Sequence, residues 1–300
     1  MSLPKSNLEW KFTQVFGDKS LIENVNEEDI VTSMSFSRDG KFLAIGDIAG
    51  RVVMFEHKSS EKSNKRINEL NYKTEFQSHF KDFDCLKSVD IEPKINIIEF
   101  LPPENDNQFL LSANDKTIKL WKLNDKVVKK SEKLSKKTNW TKANLAVPAL
   151  KVVDSGFCPS IKKVYSNLHS YNINSLSACV NGEHFLSADD LTVNLWSLGV
   201  SDKSFTLLDI SPKNINEISE VITTAKFDPF VDSTFACGTS KGVIKLCDLR
   251  ANSKVTGPAL HLEDEAAKAS KNFFTELVSS ISDLNYGRDS NFVISRTLLN

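Results

Sequence analysis

A ten-residue pattern that recurs along the chain constrains the fold more than any other feature of this sequence. It reads Ser-Ala-Asn-Asp-Lys-Thr-Ile-Lys-Leu-Trp at residues 112–121 and Ser-Ala-Asp-Asp-Leu-Thr-Val-Asn-Leu-Trp at residues 187–196. Apolar and polar residues alternate after a polar turn, which is typical of a β-strand with one buried face. We expect the Asp115 carboxylate to bond backbone N–H groups of that turn. The terminal Trp121 and Trp196 need a neighbouring surface to cover their rings.

The pattern has two further copies and the start of a fifth. Residues 238–249 repeat it with Cys247 at the tryptophan position, and residues 45–55 repeat it with a final Phe55. Two short apolar runs precede each copy, and a fifth pair of runs lies at residues 281–286 and 292–294. A repeat that cannot bury both faces alone must stack on its neighbours. With further strands in the linkers, the chain resembles an all-β WD-repeat β-propeller of four-stranded antiparallel blades.

The repeats also predict the domain organisation. Residues 1–300 read as one incomplete propeller domain, with a strand at residues 8–16 that can complete the last blade. Residues 57–75 read as a loop or loose hairpin. The predicted blades lie near residues 21–56, 90–123, 165–198, 220–250 and 276–300. Because the sequence stops two strands into the fifth blade, we expect an open, aggregation-prone arc that exposes Leu284, Phe292 and Ile294.

A lysine-rich segment follows the second repeat. Residues 124–142 carry seven lysines against Asp125 and Glu132, so they read as a basic arm that projects from the blade. The segment by itself reads more readily as a solvated loop.

Composition excludes several classes of protein. The formal net charge of −1 gives no overall attraction to nucleic acid or to a membrane surface. The N-terminus has no apolar signal core, and no apolar run is long enough to span a bilayer. Five cysteines occur without metal-ligand spacing, and we expect small buried hydrophobes in a reducing compartment. The sequence predicts a soluble protein of the cytoplasm, with the nucleus as a second compartment.

Several long blocks are similar to one family, the 55-kDa regulatory B subunits of protein phosphatase 2A. The similarity runs in order from about Trp10 to Arg296. The blocks are residues 76–88, 94–96, 109–122, 169–175, 186–191, 194–196, 240–251 and 273–283. The family is a seven-bladed propeller, so the resemblance implies that about four and a half blades are present here.

The resemblance implies a regulatory role with two protein partners. Family members bind a helical-repeat scaffold subunit and a catalytic serine/threonine phosphatase subunit, and they select phosphoprotein substrates. A hairpin of their second blade hooks the scaffold, and residues 124–142 match it in position. The scaffold-binding residues implied here are Lys126, Lys129, Lys130, Lys133, Lys136, Lys137 and Trp140.

The family's substrate groove lies on the upper face of the propeller. The matching positions are Glu27, Lys87, Tyr171, Asp190 and Ile218. For Asp190, a role in substrate recognition and a structural role in the turn are both open. Asp189 is interpreted as a turn residue that stabilises the start of the strand. Glu27, taken by itself, could also be an ordinary solvated acid. The family has lysine where this chain has Ile48, so the substrate preference at that position is open.

Three other functions compete with this interpretation. No metal triad, phosphate-binding loop or nucleophile motif supports an enzyme, and we expect no cofactor or metal. A WD-repeat scaffold outside the phosphatase system would share the fold, but the block matches argue against it. A nucleic-acid binder would interleave aromatic residues with the lysines of residues 124–142, and only Trp140 does so.

Overall fold

The computed structural model describes residues 12–16, 26–62, 65–103, 107–131, 150–250, 260–263, 278–287 and 289–297. Its strands form four four-stranded antiparallel sheets and two two-stranded sheets. The predicted all-β propeller architecture is therefore confirmed. None of the helices in these ranges is long and apolar enough to cross a membrane.

Each four-stranded sheet is one blade, and its strands follow one another in chain order. Blade 1 contains β1 (Val31–Phe36), β2 (Phe42–Asp47), β3 (Arg51–Lys62) and β4 (Lys65–Gln77). A small ribbon follows, made of β5 (Asp82–Asp84) and β6 (Val89–Ile91). Blade 2 contains β7 (Ile97–Phe100), β8 (Gln108–Ala113), β9 (Ile118–Ser131) and β10 (Leu150–Tyr165).

The remaining strands continue the same plan. Blade 3 contains β11 (Ser175–Ala178), β12 (His184–Ala188), β13 (Thr192–Ser197) and β14 (Val200–Asp209). Blade 4 contains β15 (Ile222–Phe227), β16 (Thr234–Thr239), β17 (Val243–Asp248) and β18 (Leu260–Glu263), and β19 (Ile281–Tyr286) pairs with β20 (Val293–Thr297). The first strands β1, β7, β11, β15 and β19 contact one another in sequence, so the sheets stand side by side around an axis. Short 3-10 turns lie at Glu27–Asp29 and Ile215–Glu217.

The fourth strand of each blade lies beyond the range predicted for that blade. The predicted ranges end near the third strand, whereas β4, β10, β14 and β18 follow in the segments between them. These strands form the outer edge of each sheet and are therefore exposed to solvent. In β14, for example, most residues are at least partly exposed. An outer strand can carry polar residues on both faces, so its sequence lacks the alternation that identified the inner strands.

Two hairpins extend beyond the blades. The β3–β4 pairing continues to Lys62 and Lys65, where the sequence suggested a loop or loose hairpin. The β9–β10 pairing continues to Ser131 and Leu150. We call residues 124–131 and 150–158 the arm. The range predicted for the arm, residues 124–142, therefore did not include the returning strand at residues 150–158.

The arm contains only part of the predicted lysine set. Lys126, Lys129 and Lys130 belong to β9, and Lys130 is exposed. The other four predicted scaffold-binding residues lie outside the described residues: Lys133, Lys136, Lys137 and Trp140.

The N-terminal segment does not form the strand predicted at residues 8–16, as far as it is described. Residues 12–16 have no strand pairing. Gln14 instead exchanges two hydrogen bonds with the backbone of Leu70 in β4, at 2.8 and 2.9 Å. The ring of Phe16 lies 4.4 Å from that of Phe55 in β3. The segment therefore lies against the hairpin of blade 1.

The hydrophobic core is divided into clusters between neighbouring blades. Trp121 lies in the cluster of blades 1 and 2, and its ring centroid is 4.5 Å from that of Phe76. Trp196 lies in the cluster of blades 2 and 3, with its centroid 5.4 Å from that of Tyr165. Cys247 is buried at the equivalent place between blades 3 and 4. The predicted packing of these strand ends between blades is confirmed.

The β19–β20 sheet packs on blade 4 through one of its faces. Leu284, expected to be exposed, is only 1% exposed, because its strand lies against blade 4. Phe292 and Ile294 are exposed, as expected, at 70% and 63%.

Gly50 allows the turn between β2 and β3 to approach the segments that flank the β5–β6 ribbon. Its φ is +84°, and a Cβ there would clash with the carbonyl oxygen of His79 and lie 2.7 Å from that of Pro93. We expect Gly50→Ala to lower the free energy of unfolding by about 2–3 kcal/mol. Gly40 also has a positive φ but no atom within 4 Å, so Gly40→Ala should cost only about 1 kcal/mol. Equal costs in urea unfolding would contradict the close approach.

Candidate functional site

The turns between the second and third strands define one end of the propeller, called here the upper rim. In blade 2 the side-chain oxygen of Asn114 accepts hydrogen bonds from the backbone N–H groups of Lys116 (3.1 Å) and Thr117 (2.8 Å). The expected turn-capping role of Asp115 is therefore wrong. The buried side chain of Asn114, one position earlier, takes that role because its oxygen accepts the N–H groups two and three residues later.

Asp189 caps the corresponding turn of blade 3 and ends a buried chain of hydrogen bonds. Its Oδ2 lies 3.0 Å from Nδ1 of His169, whose Nε2 lies 2.6 Å from Oγ of Ser187. The indole N–H of Trp196 donates to the same hydroxyl at 2.8 Å. Burial opposes ionisation of Asp189, but hydrogen bonds from His169 and the turn backbone outweigh it and lower the pKa. The structural role predicted for Asp189 is confirmed.

Asp115 and Asp190 stand at the rim itself and contribute to the contact with the next blade. Nδ2 of Asn96 lies 2.7 Å from Oδ1 of Asp115 and 3.1 Å from a backbone carbonyl of blade 3. Nδ2 of Asn174 likewise lies 3.4 Å from Oδ1 of Asp190 and 2.7 Å from a carbonyl of blade 4. Burial and the neighbouring carboxylate raise the pKa of Asp190. Asp190 therefore has a structural contact and a half-exposed carboxylate.

A cavity of about 490 Å³ opens at the upper rim beside blade 3. Three of the predicted substrate-binding residues line it, although they come from different parts of the chain. Lys87 comes from the β5–β6 ribbon, Tyr171 from the segment before β11, and Ile218 from the segment before β15. Small and apolar residues complete much of the wall: Leu168, Ser170, Leu191, Ser211 and Pro212.

The other two predicted residues lie outside this cavity. Asp190 is adjacent to the lining residue Asp189 but does not line the cavity itself. Glu27 is exposed at blade 1, in a 3-10 turn whose following residues bond the β2–β3 turn. Ile48 belongs to that turn and donates its N–H to the carbonyl of Ile30 at 3.2 Å. Glu27 and Ile48 thus share the upper rim with the cavity, at a different blade.

The sequence did not point to Lys116, which lies next to the cavity. Its ammonium donates to the carbonyl of Ser170 at 2.9 Å, and Lys87 donates to the same oxygen at 3.3 Å. Burial lowers the pKa of Lys116, and the Lys87 cation lowers it further. An alignment of the repeats could have identified Lys116 as a residue of the upper rim, because it occupies in blade 2 the position that the lining residue Leu191 occupies in blade 3.

The chemistry of this site suits binding. The cavity combines an aromatic ring, apolar walls, the Lys87 cation and the Asp189 carboxylate, and such a combination can fix an apolar side chain and a charged group together. Within the described ranges, no three His, Cys, Asp or Glu side chains are grouped so that they could hold a metal ion.

Comparison with known proteins identifies the repeats and the relatives. A family model described as "WD domain, G-beta repeat" matches residues 101–122 and 162–197. The chain is 45% identical to the B regulatory subunit of protein phosphatase PP2A from Candida tropicalis, over 95% of this chain and 57% of that one. It is 42% identical to the Schizosaccharomyces pombe protein of the same name, over 97% of this chain and 64% of that one.

A plant relative and a solved structure extend the comparison. The chain is 38% identical to the beta isoform of the 55-kDa B regulatory subunit of serine/threonine protein phosphatase 2A from Arabidopsis thaliana, over 98% of this chain and 67% of that one. The chain thus spans about three fifths to two thirds of the length of these relatives. A chain of "COPII on membranes, outer coat vertex" matches with a TM-score of 0.53 at 15% identity, over 89% of this chain and 56% of that one. That likeness concerns the fold alone.

Proposed function

Because the chain belongs to the family of 55-kDa regulatory B subunits of protein phosphatase 2A, we propose that it is a non-catalytic subunit that binds the scaffold and catalytic subunits and selects phosphoprotein substrates. One observation carries the proposal: the cavity and the arm lie at opposite ends of the blades. Strand β9 begins directly after the rim turn at Ile118 and runs to Ser131 in the arm. The two ends can therefore engage different partners at once.

The arm is the proposed contact with the scaffold subunit. Residues 124–131 extend β9 by roughly 25 Å, at about 3.3 Å per residue, and their pairing with residues 150–158 makes the extension a two-stranded lever. The family's scaffold is a helical-repeat protein, and a basic ribbon can lie along such a surface. The proposed contacts include Lys126, Lys129 and Lys130, together with Lys133, Lys136, Lys137 and Trp140 beyond the described residues.

The upper rim is the proposed contact with substrates. Tyr171 and Ile218 offer an apolar anchor in the cavity, and Lys87 offers a charge at its side. Asp190 and Glu27 add carboxylates along the same rim, which suits partners that carry basic residues. We place this activity in the cytoplasm, with the nucleus as a second compartment; imaging of the tagged chain tests the location.

Shortening the arm tests the scaffold contact. Asp125 and Phe157 are paired across the arm, so an Asn-Gly turn in place of residues 126–156 joins them without disturbing the blade. We expect this variant to lose binding to the purified scaffold subunit, and to lose assembly with scaffold and catalytic subunits. Co-elution in size-exclusion chromatography measures both.

The hairpin of blade 1 provides a matched control. His57 and Leu70 are paired in the same way, so an Asn-Gly turn in place of residues 58–69 shortens that hairpin equally cleanly. We expect the control variant to assemble normally. Normal assembly by the shortened arm, or equal loss in both variants, would refute the assignment of the arm.

A further inference from the structure

Two lysines at the upper rim converge on one backbone oxygen. Lys116 and Lys87 both donate to the carbonyl of Ser170, at 2.9 and 3.3 Å. By the geometry of a shared acceptor, the two ammonium nitrogens lie within roughly 6 Å of each other. Lys116 is half-buried and Lys87 lines the cavity, so this double positive charge stands at the cavity's edge. An arrangement that holds two like charges together is costly unless an anion offsets it.

No carboxylate of the described chain offsets these charges by direct contact. Neither ammonium has an Asp or Glu oxygen within 4.0 Å among the described residues. Four carboxylates favour the charge of Lys116 from a distance: Asp84, Asp115, Asp189 and Asp190. Each already has hydrogen-bond partners elsewhere, which are backbone N–H groups for Asp84, the amides of Asn96 and Asn174 for Asp115 and Asp190, and His169 with the turn backbone for Asp189. None of them occupies the ammonium protons of Lys116.

The lysines retain the capacity to bind a ligand. An ammonium group has three N–H donors, and the structure shows one bond from each Nζ. The remaining donors can converge on a single phosphoryl or carboxylate group, and a phosphoryl group carries a charge of about −1.5 to −2 that matches two lysines. Charge-assisted bonds of this kind are about twice as strong as neutral ones.

We propose that Lys87 and Lys116 form an anion site, and that it binds a peptide carrying a phosphoryl or carboxylate side chain close to an apolar side chain. The apolar side chain enters the cavity between Tyr171, Leu191 and Ile218. This inference rests on the proposed function and names the class of substrate segment that the upper rim selects. A phosphoryl group held by two lysines is not available for hydrolysis. The anion is therefore a recognition element, separate from the phosphate that the catalytic subunit removes.

Direct binding of short peptides to the purified 300-residue chain tests the site without any phosphatase. The first probe carries phosphoserine and a leucine two residues later, and matched probes replace phosphoserine with glutamate, serine or lysine. By fluorescence anisotropy we expect the phosphoserine and glutamate peptides to bind and the serine and lysine peptides to bind at least tenfold more weakly. Affinity should fall as salt is added, because exposed charges are screened. Equal binding of all four peptides would overturn the proposal.

Single substitutions assign the effect to these lysines. We expect Lys87→Gln and Lys116→Gln each to weaken binding of the phosphoserine peptide about tenfold, while Lys87→Arg, which keeps the charge, restores most of it. Lys81→Gln removes an exposed lysine of the same segment and should leave binding unchanged. Unchanged melting temperatures would show that each variant is folded. If Lys81→Gln weakens binding as much as Lys87→Gln, the attraction is general and the site is refuted.

Two further comparisons distinguish a peptide from free phosphate as the source of the anion, and distinguish failure of this inference from failure of the proposed function. Inorganic phosphate should compete only weakly, since it lacks the apolar side chain; competition equal to that of the peptide would refute the cavity's part. Peptide binding that survives while the shortened arm assembles normally would leave this inference standing and remove the support for the scaffold contact. Loss of assembly by the shortened-arm variant, together with no peptide binding by the unchanged chain, would support the scaffold contact and refute this inference.

Discussion

Replacing Trp121 with alanine is expected to lower the free energy of unfolding by about 3–5 kcal/mol, and Trp196→Ala should cost a similar amount. Each ring lies in a core cluster between two blades, so its removal leaves a cavity that neither blade can fill alone. The indole N–H of Trp121 also donates to Ser112 and Ser78, at 3.1 and 3.2 Å. Urea unfolding followed by circular dichroism measures the loss.

Two milder changes locate the source of this effect. Trp121→Phe keeps most of the ring and removes the N–H, so we expect a loss nearer to 1 kcal/mol. Phe205 is 68% exposed on β14, and Phe205→Ala should change stability by no more than about 0.5 kcal/mol. An unchanged melting temperature for Trp121→Ala and Trp196→Ala would mean that the strand ends do not pack between blades.

Acidification from pH 7 to pH 5 is expected to remove about 2 kcal/mol of stability through His79 alone. Burial, and to a smaller extent the Lys119 cation, together lower the pKa of this imidazole from 6.5 to about 3. Below pH 6.5 the imidazole is therefore protonated in the unfolded chain, whereas in the folded chain it stays neutral down to about pH 3. Stability from this group is fully present above pH 6.5 and is lost progressively across that window.

The contacts of His79 explain why it stays neutral. Its Nδ1 lies 3.1 Å from Oγ of Ser78, and its Nε2 lies 3.2 Å from the carbonyl of Thr117. These neutral partners satisfy the ring without offsetting a charge, and water is excluded because the residue is only 1% exposed.

A comparison of two variants isolates the contribution of His79. Unfolding free energies between pH 7 and pH 5 should fall less steeply for His79→Gln than for the unchanged chain. Phe205→Ala, which removes an exposed side chain without a titratable group, should keep the original slope. Asp189 does not interfere, since its pKa is lowered from 3.8 and its contribution is lost only at more acidic pH. Parallel slopes for the unchanged chain and His79→Gln would contradict the assignment.

The repeated strand pattern was enough to predict the architecture. Alternation before Trp121 and Trp196 identified a buried face, and the repetition required a neighbour of the same kind to cover it. The equivalence of Cys247 with the two tryptophans also followed from spacing alone. These features are local, because a period of two residues and a strand-terminal ring are written in consecutive positions.

The outer strands and the ends of the blades depended on tertiary context. β10 and β14 carry mixed polar residues, and only pairing with the strand before them makes them strands. Leu284 illustrates the same limit, because its burial depends on contact of β19 with blade 4. Sequence spacing does not report which edge a neighbouring sheet covers.

The candidate site also has features that the sequence predicted and features that only the structure revealed. Resemblance to a family supplied Lys87, Tyr171 and Ile218, and the structure places them in one cavity. The sequence alone determined that the chain repeats a strand pattern, that each copy needs a neighbour, and that Asp189 is a turn residue. Only the tertiary structure decided that Asn114 rather than Asp115 caps the turn of blade 2, and that Lys116 joins Lys87 at Ser170. The physical reason is that the burial of Asn114 depends on how its blade packs, and that the contacts at Ser170 join parts of the chain whose distance depends on how the blades are arranged around the axis.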